Sequence, residues 1–140
     1  MNNSNNLIKW KDKYYLGNEK IDLEHKALFD IAEKANQVYE IDSEKKQKEL
    51  LGQVVNDLYS YVDYHFNNEE EYLHEISFPN IEAHKELHTK LLDMLNFISL
   101  NLPFLSVKSA GNELYNFVQN IFVKHIIDDD MKITKYLKNK

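Results

Sequence analysis

Residues 51–72 read LGQVVNDLYSYVDYHFNNEEEY, and one face of this stretch carries Leu51, Val55, Leu58, Val62, His65, Glu69 and Tyr72 in alternating steps of four and three. That spacing is the seam of an amphipathic helix with 3.6 residues per turn. The seam holds two residues that do not belong in an apolar core. His65 and Glu69 stand where Leu or Ile is expected, four apart and so on one side of a single helical turn.

Working outward, the same rhythm recurs. Upstream, about Glu19 to Tyr39, the seam is Ile21, His25, Leu28, Ala32, Ala35 and Tyr39, and Asp42-Ser43 is an N-cap signal for the helix that follows. Downstream, Ser77-Phe78-Pro79-Asn80 is a break, because Pro79 disfavours helix at Phe78 and Asn80 is suited to capping the next helix. The third seam is Ile81, His84, His88, Leu91, Leu95, Ile98 and Leu102. Asn101 to Ser109 reads as a loop, and the fourth seam is Leu114, Val118, Ile121 and His125. Residues 1–18 form an arm whose Trp10, Tyr14, Tyr15 and Leu16 are suited to packing on the body, with Gly17 ending it. Residues 131–140 are a basic, amphipathic tail expected to form a short C-terminal helix.

The chain of 140 residues has the length of one domain, and no repeat or linker divides it. A hydrophobic fraction of 43% with 29% charged residues is ordinary for a folded protein, and three glycines with two prolines are too few for the many turns of a β-sandwich. Four segments of roughly 20 residues, each near 30 Å long, pack most simply as an all-α, up-down-up-down four-helix bundle over residues 19–130. A formal charge of -6 leaves no basic footprint for nucleic acid. The absence of cysteine removes disulfides, thiolate nucleophiles and cysteine metal sites, so any metal is held by nitrogen and oxygen. Neither a signal peptide nor an apolar run of about 18 residues is found, so no membrane association and a cytoplasmic location are expected.

Five of the six histidines, His25, His65, His84, His88 and His125, fall on the four seams, accompanied by Glu69. Burying an unpaired carboxylate or several imidazoles costs kilocalories per group, so partners or a metal are required. A lone seam histidine is usually a hydrogen-bonded core residue. Five from four helices beside an acidic residue point instead to a shared metal site inside the bundle. The last helix ends His125-Ile126-Ile127-Asp128-Asp129-Asp130, and geometry leaves its carboxylate open. In a regular helix Asp129 is nearest the face of His125, whereas Asp130 lies about 140° away and needs a π-type turn or a displaced second metal.

These motifs resemble the hemerythrin family in its single-domain bacteriohemerythrin form. The resemblance rests on Trp10-x-x-x-Tyr14-x-x-Gly17, Ile21-Asp22-x-x-His25-Lys26-x-Leu28, His65-Phe66-x-x-Glu69-Glu70, Phe78-Pro79, His84-x-x-x-His88 and His125-Ile126-x-x-x-Asp130, and it spans nearly the whole chain. It implies that His84, His88 and His125 bind one iron, that His25 and His65 bind a second, and that Glu69 and Asp130 bridge the pair. Asp128 and Asp129 then become solvated neighbours. With a hydroxo bridge of the family's type, the donor set falls one short of two six-coordinate irons, and the open position lies on the iron with two histidines. The resemblance therefore implies reversible, non-catalytic binding of dioxygen, for storage, delivery or scavenging.

Leu28, Phe66, Ile121, Phe122 and Ile126 lie within about a turn of ligands and could wall that position against water, although core packing explains each of them equally. Where many members carry Trp and Met, this chain has Ile121 and Leu73, both still apolar. A monomer is expected. The competing readings are a di-iron sensor acting through a protein partner, a di-iron oxidase and a zinc hydrolase. The oxidase reading has little support, because Glu71-x-x-His74 is the only Glu-x-x-His copy and His74 lies about 140° off the seam from Glu69. A zinc hydrolase on His84 and His88 would leave His25, His65 and Glu69 buried without purpose.

Overall fold

The computed structural model describes residues 11–118 and 124–139. Trp10, Ile121 and Phe122 lie outside the described residues, as do the side chains of the seam residues Ala32 and Tyr39. The elements are α1 (Glu19–Glu33), α2 (Glu44–Glu75), α3 (Ile81–Asn101), α4 (Val107–Asn116), a π-helical segment (His125–Asp130) and α5 (Met131–Lys138). Together they form an all-α four-helix bundle to whose fourth position α4 and the π segment both contribute.

Local chemistry sets the helix starts. The Asn18 side chain accepts the Ile21 N–H (3.0 Å) at the head of α1, and Ser43 accepts the Lys46 N–H (3.3 Å) at the head of α2, as its sequence signal predicts. Asp22 is buried, and its carboxylate accepts the N–H groups of Leu16 (2.7 Å) and Gly17 (3.2 Å), tying the arm to α1. Gly17 sits at φ 103°, a conformation open to glycine and costly for other residues. Beyond this tie Tyr14 is buried, with its ring 5.7 Å from that of Phe29.

Three expectations are corrected. The first helix does not stay α-helical to Tyr39: it ends at Glu33, and Lys34–Glu40 winds as a 3-10 helix. The tighter winding, about three residues per turn, brings Val38 into the core with no exposed surface, and Ala35 is left half-buried. The expected loop at Asn101–Ser109 is shorter. α3 reaches Asn101, Pro103 fits a 3-10 turn where its missing N–H costs nothing, and Ser106 caps α4 by accepting the Ser109 N–H (3.1 Å). Finally, Asn80 occupies the cap position of α3 but makes no side-chain capping bond. Its backbone is left-handed, at φ 64°, where a capping residue is normally extended.

Consecutive helices run antiparallel. A recess is lined by Leu51 and Gly52 of early α2, Ser99 of late α3 and Ala110 of early α4, while late α2 meets early α3 through Glu69, His84 and His88. Two apolar clusters result. The larger contains Leu28, Leu51, Val55, Leu58, Val62, Phe66, Leu91, Leu95, Leu114 and Ile126. The smaller contains Leu16, Ile21, Leu73 and Ile133. α5 closes the end of the bundle by burying Ile133, by donating Tyr136 O–H to the carbonyls of Ile76 (3.2 Å) and Ser77 (2.9 Å), and by donating Thr134 O–H to that of Leu16 (3.2 Å). On α1 and α2 the seam histidines fall between the two clusters, His25 between Ile21 and Leu28 and His65 and Glu69 between Val62 and Leu73, so a polar layer is bounded by hydrocarbon on both sides. No helix among the described residues is long and apolar enough to cross a membrane.

Candidate metal centre

All seven residues anticipated as ligands come together in that layer. His25, His65, Glu69 and Asp130 have no exposed surface, and His84, His88 and His125 are buried. Their donor atoms form two overlapping sets, Glu69-His84-His88-His125-Asp130 and His25-His65-Glu69-Asp130, with the atoms of each set within 4.8 Å of one another. His74, by contrast, is exposed.

The two carboxylates are divided between the sets. Glu69 Oε1 lies 2.9 Å from His84 Nε2 and 3.0 Å from His88 Nε2, whereas Oε2 lies 3.4 Å from His25 Nε2 and 3.5 Å from His65 Nε2. Asp130 repeats the arrangement: Oδ1 is 3.0 Å from His84 Nε2 and 3.2 Å from His125 Nε2, and Oδ2 is 3.3 Å from His25 Nε2. All five imidazoles thus present Nε2 to the interior, and each carboxylate spans the gap between the sets. Asp130 reaches this position because His125–Asp130 is π-helical, which answers the question left open by helical geometry.

The electrostatics call for cations at this point. Burial alone would push the Glu69 carboxyl up, but the imidazoles of His25, His65, His84 and His88 hold it well below its ordinary value. Burial and the neighbouring Glu69 likewise oppose ionisation of Asp130, and His125, His25 and His84 overcome them. Burial disfavours charge on His25 and His84 too, yet Asp130 and Glu69 raise them to about 9 and about 10. Two carboxylates buried among imidazoles thus demand positive charge, which protons or metal ions can supply. His65 Nε2, His125 Nε2, Glu69 Oε2 and both Asp130 oxygens are fully buried without a hydrogen-bond partner, which is what coordination would remedy. With five imidazoles, two carboxylates and no sulfur, the donor set suits a first-row metal such as iron.

Sequence reasoning missed the carboxylates behind the histidines. His65 Nδ1–H donates to Glu24 (2.9 Å), His88 Nδ1–H to Glu70 (2.7 Å) and His125 Nδ1–H to Asp129 (3.1 Å). Asp129 is therefore not simply a solvated neighbour, and His125 holds its carboxyl below the ordinary range. Asp128 is exposed, as expected. Helical spacing could have found Asp129, four residues from His125. Glu24 lies off the seam, so periodicity carries no signal for it. Of the expected apolar wall, Leu28 and Ile126 are buried in the larger cluster, while Phe66 lies flat on the His88 ring at 3.7 Å, on the three-histidine side.

An all-helical bundle with a caged layer of imidazoles and carboxylates defines a cation-binding helical domain. The chain belongs to the hemerythrin family: residues 16–137 match the hemerythrin HHE cation binding domain. It is similar to a bacteriohemerythrin of Clostridium acetobutylicum, 27% identical over 124 residues that cover 89% of this chain and 96% of the relative. A bacteriohemerythrin of Campylobacter jejuni is 29% identical over 89% of this chain and 91% of its own. A myohemerythrin of Theromyzon tessulatum is 23% identical over 84% and 89%.

Proposed function

We propose that this protein holds two iron ions and binds dioxygen reversibly, as an oxygen-storing, delivering or scavenging protein. The observation that carries the reading is the division of Glu69 and Asp130 between a three-histidine and a two-histidine set. His84, His88 and His125 would hold one ion, His25 and His65 the other, and the two carboxylates both. An iron pair supplies the two electrons that dioxygen takes up on binding and returns on release.

The residues of the chain do the rest. Two imidazoles against three make the sets unequal, so an ion held on the His25–His65 side would be the one able to take an outside ligand. Leu28, Phe66 and Ile126, all in the larger apolar cluster, bound one side of the layer with hydrocarbon that would exclude the water and acids that make binding irreversible. Ile21, Leu73 and Ile133 seal the opposite end. The carboxylates on His65, His88 and His125 fix each ring with Nδ1 protonated and Nε2 free to coordinate.

Iron content together with an optical spectrum before and after oxygen tests the proposal. Two irons per chain, with an oxygen-dependent absorption band that vanishes under vacuum, is the expected result. A band that decays irreversibly with turnover would replace the carrier by an oxidase. Less than one iron per chain after anaerobic loading would remove the proposal.

A further inference from the structure

The three carboxylates behind the histidines are not equivalent. Glu70 and Asp129 have side chains 20% and 23% exposed, so water competes for their hydrogen bonds. The Glu24 side chain is only 5% exposed, and both of its oxygens are used: Oε1 accepts His65 Nδ1–H at 2.9 Å and Oε2 accepts an N–H of Asn68 at 2.7 Å. Beyond it lies a recess of about 420 Å³ that Glu24 lines with Tyr61 and Tyr64. Glu24 therefore stands between His65 and the outside. It is also one residue from His25, so α1 brings a donor and a donor's support to the same half of the centre.

We propose that Glu24 is the positioning residue of the two-histidine half: it locks His65 in the tautomer that turns Nε2 inward and holds that ring where the half has fewest donors. The inference rests on the metal-centre reading above. Losing one well-held ring from a set of three imidazoles leaves two, whereas losing it from a set of two leaves one. Removing a carboxylate that orients a ligating histidine typically weakens metal binding about 10- to 100-fold. The smaller set has the least reserve against that loss, and the buried support is the one that solvent cannot replace.

The test is anaerobic titration of the full chain with ferrous iron, followed by chelator competition, for the wild type, Glu24→Leu, Glu24→Gln and Glu70→Leu. Helix content of each metal-free chain is measured alongside. Glu24→Leu should lose about 10- to 100-fold in retention of one iron, leaving close to one tightly held ion per chain. Glu24→Gln, whose amide oxygen still accepts the Nδ1–H, should keep two, and Glu70→Leu should lose less than Glu24→Leu does; an equal loss would overturn the proposal. Wild-type retention of two irons by Glu24→Leu would overturn the proposal. So would equal iron loss in the Leu and Gln variants accompanied by equal loss of helix, since that would make Glu24 merely structural. A wild type that takes up no iron would instead overturn the metal-centre reading, and this proposal with it.

Discussion

Glu69 and Asp130 do the same geometric job from two different backbones. In α2, His65 and Glu69 are four residues apart on a regular helix, roughly 40° from each other around the axis. In the last segment, His125 and Asp130 are five apart, and only the π-helical winding brings them to one side. That winding also places Asp129 against His125 Nδ1 while Asp130 faces its Nε2, so consecutive carboxylates grip the two edges of one ring. α2 extends its helix well past Glu69 on both sides, whereas Asp130 ends its segment and depends on what α5 packs against. A ligand position can thus be specified by periodicity in one place and by a local departure from it in another.

The sharpest way to break this comparison is to remove each carboxylate. Glu69→Ala and Asp130→Ala should each drop iron below two per chain by metal analysis, because each removes one oxygen from both sets. Asp129→Ala should keep both irons and weaken binding about 10- to 100-fold. If Asp129→Ala lost an iron and Asp130→Ala did not, the π-helical turn would not exist in solution.

Ile133→Ala comes next. It opens a cavity under α5 and should cost about 2–5 kcal/mol in a denaturant melt. Because α5 continues directly from Asp130 and packs on the end of α2 beyond Glu69, iron held by this variant should be released faster to a chelator, whereas a comparable cavity at Leu51, in early α2, should cost stability with little change in release.

Smaller again is the pH dependence of the metal-free chain. His25 and His84, raised from 6.5 to about 9 and about 10, contribute stability that is complete below about pH 6.5 and lost as pH rises through those values. Glu69 and Asp130, lowered in the folded state, contribute stability that is lost in acid instead. The metal-free melting temperature should therefore fall between about pH 6.5 and 10, and iron loading should abolish that fall by replacing the protons. An identical alkaline decline with and without iron would contradict the caging of these imidazoles. Smallest of all, His74→Ala should leave iron content unchanged, since the side chain is exposed.

Much of this molecule was legible in the sequence because burial imposes a period. The seams of α2 and α3, that of α1 as far as Leu28, the break at Phe78-Pro79 and the cap at Ser43 are local signals, and five histidines at seam positions already marked a polar layer. What stayed illegible has a physical cause in each case. The 3-10 winding of Lys34–Glu40 comes from packing Val38, which an alternating pattern of fours and threes does not encode. Glu24 lies beside the seam, so its burial depends on His65 and Asn68 arriving from another helix.

Which side chains share an α-helical face follows from residue order alone, because 3.6 residues per turn is a property of every α-helix and needs no neighbour. Periodicity alone left open which of three consecutive aspartates faces the histidines; the family resemblance pointed to Asp130, and the packed π-helical segment is what turns that side chain inward. A π-turn costs regular hydrogen bonding, and here it coincides with His25 and His84 facing Asp130 and with α5 docked on Leu16 and Ile76.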